Sequence, residues 1–397
     1  MTAPLAGLVV LDMTRLLPGP AATMHLADLG ADVIKVEDTG EGDYMRDFPP
    51  AVRNAAGKPV NPSYEATNRG KRSIAIDLKS PQGREILLRL VRRADALIEG
   101  FRPGVLDRLG LGWETLHAEN PKLVVCSISG YGQNGPLAQR AGHDINYIAM
   151  TGVLDQNRVN DEPAIPNLQI GDLLGGTLSA LGMLLAALLS AQRSGQGRYL
   201  DVAMTDGLLA HHFFPLAELD AGGVPRAGRS LLTGGVACYR VYRTADDRHL
   251  AVGALEHKFW KAFCGAAGLP ELVERHWTYG EAPGSDAARD TIDRVADRLR
   301  RKTLAEWEAL FDPVDCCTTP VLTPAEALEH PHHRARGLVV RQGEVTEIAP
   351  LAQLFRDAWT PSPAPEQGEQ TRALLAELGY TPADIDALVE SKVVKAP

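Results

Sequence analysis

Two short glycine-rich segments hold the side chains best suited to moving a proton. One is Gly142-His143-Asp144-Ile145-Asn146-Tyr147; the other is Ile170-Gly171-Asp172-Leu173-Leu174-Gly175-Gly176. Histidine is the side chain that changes charge near neutral pH. Asp172 opens a long apolar run, 177–191, that reads as a helix. An acid at a helix N-terminus meets the positive end of the dipole and unpaired N–H groups, which favours the carboxylate. Asp172 is therefore expected to be ionised, as a base or a nucleophile, with His143 in a loop. Taken singly, each residue has an ordinary explanation. An Asp at such a place is a common helix cap, and a loop histidine is often idle.

Three basic clusters fall in loops of the first part of the chain: Arg69-Gly70-Lys71-Arg72, the Arg102-Pro103-Gly104 turn, and Arg108. In an acidic chain, cations beside glycines suit a phosphorylated ligand, although a solvated face has the same composition. Gly130-Tyr131-Gly132-Gln133-Asn134-Gly135-Pro136 follows an apolar strand. Loops after strand C-termini hold ligands in parallel sheets, and this one could bring N–H groups to a reacting oxygen. Glu256 closes Gly253-Ala254-Leu255-Glu256, just ahead of Phe259-Trp260. His330, His332 and His333 flank a proline without a Cys or acidic partner at ligand spacing, so no metal site is expected.

The elements that must position these residues alternate. Short apolar strands are expected at 8–12, 32–37, 73–78, 95–99, 123–129 and 199–204, with helices at 21–29, 80–93 and 206–219. Pro81 after Ser80 gives the second helix a cap and a first-turn proline. The stretch 38–67, rich in Gly, Pro and Asn, reads as a surface loop. Strand–helix alternation predicts an α/β fold with a mostly parallel sheet covered on both faces. No G-x-G-x-x-G follows the first strand, so this is not a dinucleotide fingerprint. After about residue 222 the pattern changes to a hairpin, 237–254, and helices near 257–267, 287–301 and 303–311, which suggests a smaller α+β domain. The boundaries expected are 1–222, 223–335 and 336–397, with 360–367 an extended linker.

The net charge of −9 argues against nucleic-acid binding. The 5 cysteines contain no C-x-x-C pair, which suits a reduced, cytoplasmic protein. No signal-peptide pattern opens the chain. The longest apolar run is shorter than a membrane span requires and is expected to be a buried core helix, with no membrane association.

Together these segments resemble the family III CoA-transferase (CaiB/BaiF) superfamily and, within it, the α-methylacyl-CoA racemases. The likeness covers nearly the whole chain. It includes LAGLVVLDMTRLLPGPAATMHLADLGADVIKVE, EGFRPGVLDRLGLG, SGYGQNGPLAQRAGHDINYIAMTGVL, IGDLLGG, GRYLDVAMTDG and AVGALEHKFW. Gly-His-Asp-Ile-Asn-Tyr marks the racemase branch. The resemblance implies a large Rossmann-like domain built from both chain ends, a smaller inserted domain and an interlocked homodimer. It puts the catalytic histidine on His143, the aspartate on Asp172 and an accessory glutamate on Glu256. It puts Arg102 and Arg108 in the CoA-binding region, and Tyr131 and Gly132 of the glycine-rich loop are expected to bind the ligand beside them. A basic position of the family falls on Asp38 here, and Lys35, Arg69 and Lys71 are the cations available to replace it. The substrate implied is an acyl-CoA, with no cofactor beyond its CoA moiety. Two bases would flank one carbon, one removing the α-proton and the other returning it. Enolate donors would come from the 130–135 loop or the Asp172 helix N-terminus. The alternative is CoA transfer, with Asp172 as nucleophile and His143 incidental. A run of glycines common in the small domain of transferases is reduced here to Gly234-Gly235.

Overall fold

The structure, a computed structural model, describes residues 3–356 and 359–397. The chain divides into two compact units. The larger comprises Met1–Thr151, Pro166–His211 and His330–Pro397; the smaller comprises Gly152–Ile165 and His212–Glu329. The smaller unit thus begins earlier than the composition change at 222 suggests. The helix expected at 206–219 is in fact two, Met204–Leu209 and Phe213–Asp220, and the break between them coincides with the change of unit.

In the larger unit six strands run parallel: β1 (Val9–Met13), β2 (Asp32–Glu37), β3 (Arg72–Ile76), β4 (Ala96–Glu99), β5 (Val124–Ser129) and β6 (Tyr199–Ala203). Their order across the sheet is β6-β5-β4-β1-β2-β3, with Val394–Lys395 added antiparallel at the β3 edge. Val10 pairs with Val33 on one side and Ala96 on the other. Leu11, Ile74, Ile76, Leu97 and Val125 are buried in one core with Ile86 and Leu87 of the helix Pro81–Val91. Such continuous apolar runs, rather than alternating ones, mark strands covered on both faces.

Two expectations change. Residues 38–67 are not simply a surface loop. They contain a 3-10 turn, Tyr44–Asp47, a small hairpin, and a helix, Pro62–Asn68, capped by Asn61, whose Oδ1 accepts the Tyr64 N–H at 2.8 Å. The Asn-Pro pair that reads as loop composition is here a helix start. The apolar run is also more than a core helix. Gly171–Ser194 is one continuous helical segment, long and apolar enough to cross a membrane by length and composition. Its first two turns, Gly171–Leu178, are wound as a π-helix. One face, with Ala180, Leu184 and Leu188, is buried, while Leu178, Met183 and Leu189 are exposed. Length and composition alone do not distinguish burial all round from burial on one face.

The smaller unit holds an antiparallel sheet, Tyr239–Arg243, His249–Gly253 and Thr318–Pro320. Helices His257–Ala267, Asp286–Leu299 and Leu304–Phe311 accompany it. Trp260, Phe263 and Trp307 fill its core. Thr303 and Glu306 form the reciprocal cap that their spacing suggests, at 2.8 and 3.3 Å.

Candidate active site

The connectivity of the sheet reverses between β1 and β4. At such a switch point adjacent loops leave in opposite directions and open a crevice at the strand C-termini. A cavity of about 390 Å³ occupies that place. It is walled by the 14–19 loop after β1, the 100–103 loop after β4 and the 128–131 end of β5. His143 and Asp172 both line it, so the fold brings these two residues to one chamber.

His143 stands where its loop becomes the helix Asp144–Met150. Its N–H donates to Asn146 Oδ1 at 3.0 Å and its side chain is exposed. Asp172 lies in the first turn of the π-helical segment. The glycines that follow let that segment pack closely: a Cβ on Gly175 would stand 2.4 Å from the Met204 carbonyl oxygen. Thr177 Oγ1 donates to the Pro18 carbonyl at 2.8 Å, tying the helix to the cavity loop. π-Helical turns often occur at functional sites.

The charge state of Asp172 reverses the expectation from its helix position. Burial, followed by the nearby Asp144 carboxylate, pushes its carboxyl up to about 7. Loss of water disfavours the anion more than the helix end favours it. Asp144 also accepts the Asp172 N–H at 3.0 Å. That donor is therefore engaged, and so are two in the glycine loop. The Gly132 N–H donates to Ser129 Oγ at 3.0 Å, and the Gln133 N–H donates to the Asp201 carboxylate at 3.0 Å. The enolate donors expected from these N–H groups are thus bound internally. Gly132 is buried, whereas Tyr131 lines the cavity edge-on to Tyr147, with ring centroids 5.3 Å apart. The Tyr147 hydroxyl donates to the Gly142 carbonyl at 2.6 Å, bracing the segment that carries His143.

The cations separate into two sets. Lys35 is wholly buried; its Nζ donates to the Thr14 carbonyl at 3.0 Å and pairs with Asp43 at 2.9 Å. Lys71 Nζ donates to Asp12 Oδ2, Pro20 O and Asn68 Oδ1 at 2.9, 3.0 and 2.8 Å, using all three protons. Arg69 grips Asp28 through two hydrogen bonds, 3.0 and 2.6 Å, and lies over Trp359 away from the cavity. These three, expected as replacement CoA ligands, form interior ion pairs and do not line the cavity. Arg102 does line the cavity; Arg108 is exposed on the adjacent turn and does not. Arg15 and Arg140 also line it, and Arg15 forms an ion pair with Asp38. Both escaped the sequence reading, although Arg15 directly follows the first strand, where a parallel sheet binds its ligand. Glu256 is exposed at the N-cap position of His257–Ala267 in the smaller unit. Among the described residues no group of three or more His, Cys, Asp or Glu stands close enough to hold a metal ion.

The chain is 36% identical to an alpha-methylacyl-CoA racemase of Homo sapiens, over 99% of both chains. It is 34% identical to an acetyl-CoA:oxalate CoA-transferase of Acetobacter aceti, over 94% of this chain and 95% of the relative. Among solved structures, a CaiB/BaiF family protein from Brucella suis superposes with a TM-score of 0.81 at 30% identity, covering 95% of this chain and 100% of the other. Residues 5–371 match CoA-transferase family III, and the chain belongs to that family.

Proposed function

We propose that this enzyme acts on acyl-CoA as an α-methylacyl-CoA racemase, interconverting the 2R and 2S forms of a 2-methylacyl-CoA. His143 or Asp172 removes the proton α to the thioester carbonyl, leaving an enolate. The other residue, already protonated, returns a proton to the opposite face. The observation that carries this reading is the pairing of His143 with an Asp172 carboxyl held near 7 in one chamber. A general acid–base group works best with a pKa near the operating pH. Identity to the human racemase supports the same reading. Arg102 and Arg15 are suited to the CoA phosphates, with Arg15 carried to the Asp38 position by their ion pair. Glu256 serves to orient or tune one base across the dimer interface. The exposed apolar side chains Phe213, Phe214 and Met183 suit a homodimer, interlocked as in the racemase branch. Full activity from a monomer at nanomolar concentration, measured by sedimentation and assay, would rule the dimer out.

The test is incubation with each enantiomer of a 2-methylacyl-CoA in D2O, with and without a free carboxylic acid. Racemisation predicts α-deuterium uptake by both enantiomers and no need for the acid. The second reading, CoA transfer through an aspartyl-CoA thioester at Asp172, is favoured by the 34% identity to a CoA-transferase. It predicts acid-dependent turnover, no α-deuterium uptake, an Asp172 adduct trapped by hydroxylamine, and a largely active His143→Ala variant.

A further inference from the structure

Asp144 connects the two residues just assigned. Its own backbone continues directly from His143 and opens the helix Asp144–Met150. Its carboxylate reaches across to the second segment, where Oδ1 accepts the Asp172 N–H at 3.0 Å. The approach is close because residue 171 is glycine. A Cβ there would lie 2.9 Å from Asp144 Oδ1 and 3.2 Å from the Asp144 carbonyl oxygen. We propose that Asp144 is a positioning residue, clamping the backbone of Asp172 and thereby setting the gap across which His143 and Asp172 work. This rests on the proton-transfer reading.

A neutral acceptor would make the same hydrogen bond, so the charge at 144 needs its own account. Two carboxylates close together cannot both ionise freely. Burial and then the Asp144 charge raise the Asp172 carboxyl. Asp144 therefore keeps Asp172 available both as acid and as base. Other titratable groups stand on the elements packed against the 171–178 segment. They are His25 and Asp28 on Pro18–Asp28, Tyr147 on Asp144–Met150, Tyr199 and Asp201 on β6, and Asp206 on Met204–Leu209. The hydroxyls of Tyr147 and Tyr199 are both raised, that of Tyr147 by burial and then by the Asp172 charge, that of Tyr199 by burial. Both stay neutral through the pH range in question.

Three variants separate the clamp from the charge. Asp144→Asn keeps an oxygen for the Asp172 N–H but removes the charge. Asp144→Ala removes both. Gly171→Ala pushes the carboxylate aside without altering either acid. The readouts are α-deuterium exchange against pH and carbon-13 titration of the Asp172 carboxyl, with thermal unfolding to establish that each variant folds. Asp144→Asn should keep exchange within about tenfold while the Asp172 titration falls by roughly one pH unit. The acidic limb for the enantiomer deprotonated by Asp172 should move down with it. Asp144→Ala should lose roughly 10²-fold in kcat with KM little changed, since the contact positions a base rather than binding the ground state. Gly171→Ala should resemble a milder Asp144→Ala. If Asp144→Ala and Gly171→Ala exchange as fast as Asp144→Asn, the clamp is wrong; if the Asp172 titration is the same in wild type and Asp144→Asn, the role of the charge is wrong. The carbon-13 measurement needs no turnover. Absence of α-exchange in wild type would therefore sink the racemase reading, whereas an unmoved Asp172 titration would sink the charge coupling alone.

Discussion

Two charged clusters, one beneath a loop that walls the cavity and one lining the cavity itself, are built on opposite principles. Under the 14–19 loop, Asp12 faces cations and hydroxyls. It accepts from Thr14 Oγ1 at 2.5 Å, Thr23 Oγ1 at 2.7 Å and Lys71 Nζ at 2.9 Å. Burial opposes its ionisation, but Lys71, Lys35 and Thr14 outweigh burial and hold the carboxyl well below the usual range. At the cavity, Asp172 faces another carboxylate, and burial adds to the repulsion. The first cluster ties down the 14–16 turn, including Leu16, held at a φ of 65° with its N–H on Asp43 Oδ1 at 3.2 Å. A leucine in that conformation persists only where its surroundings over-determine it. The second cluster stores reactivity at a cost in stability, the usual exchange at functional sites.

The sharpest break between the clusters is expected from removing Asp172. Asp172→Ala should lower racemisation by roughly 10²–10⁴-fold while the protein stays folded. Chiral analysis of product and thermal unfolding would show both. A variant that loses fold and activity together would erase the distinction. Lys71→Met should do the reverse. Breaking a buried pair leaves an uncompensated charge and costs about 3–5 kcal/mol. Urea unfolding should register that loss, and whatever folded fraction remains should keep a normal KM.

Smaller effects refine the contrast. Arg102→Ala and Arg15→Ala should each raise KM for acyl-CoA about tenfold. A charge-assisted hydrogen bond contributes about 1.5–3 kcal/mol, and kcat should change little because phosphate contacts are alike in ground and transition states. An unchanged KM in both would remove these arginines from the site.

The smallest expected effect is one of sign. Asp12 has a depressed native pKa, so its contribution is complete above the unfolded value and is lost as pH falls through the native one. Asp172 has a raised native pKa. Between the ordinary Asp value and about 7 the native protein holds a proton that the unfolded chain has released, so this site loses stability as pH rises. Asp172→Asn should therefore be more stable than wild type at pH 8, by on the order of 1 kcal/mol, with a higher melting temperature, and nearly equal to it at pH 4. A lower melting temperature at pH 8 would contradict the raised carboxyl.

The strands, their parallel pairing and the glycine-flanked His143 and Asp172 were legible because they depend on local pattern: unbroken apolar runs, caps and short motifs. The helix Pro62–Asn68 was also legible in principle, from Asn61-Pro62. What could not be read was where each charge ends up. Lys35, Lys71 and Arg102 carry the same kind of signal in sequence: a cation in or beside a glycine-bearing segment. The fold buries two of them against Asp12, Asp43 and backbone carbonyls and turns the third to the cavity. Asp172 likewise looked ionised from its helix position, because the dipole is local and visible in sequence. Its desolvation and its Asp144 neighbour come from a segment far along the chain, and only tertiary packing brings them together. Sequence determined which residues can carry charge and which runs must be buried. The tertiary structure decided which charges meet a partner of opposite sign and which meet their own kind, because electrostatic energy depends on distance and solvent access in space.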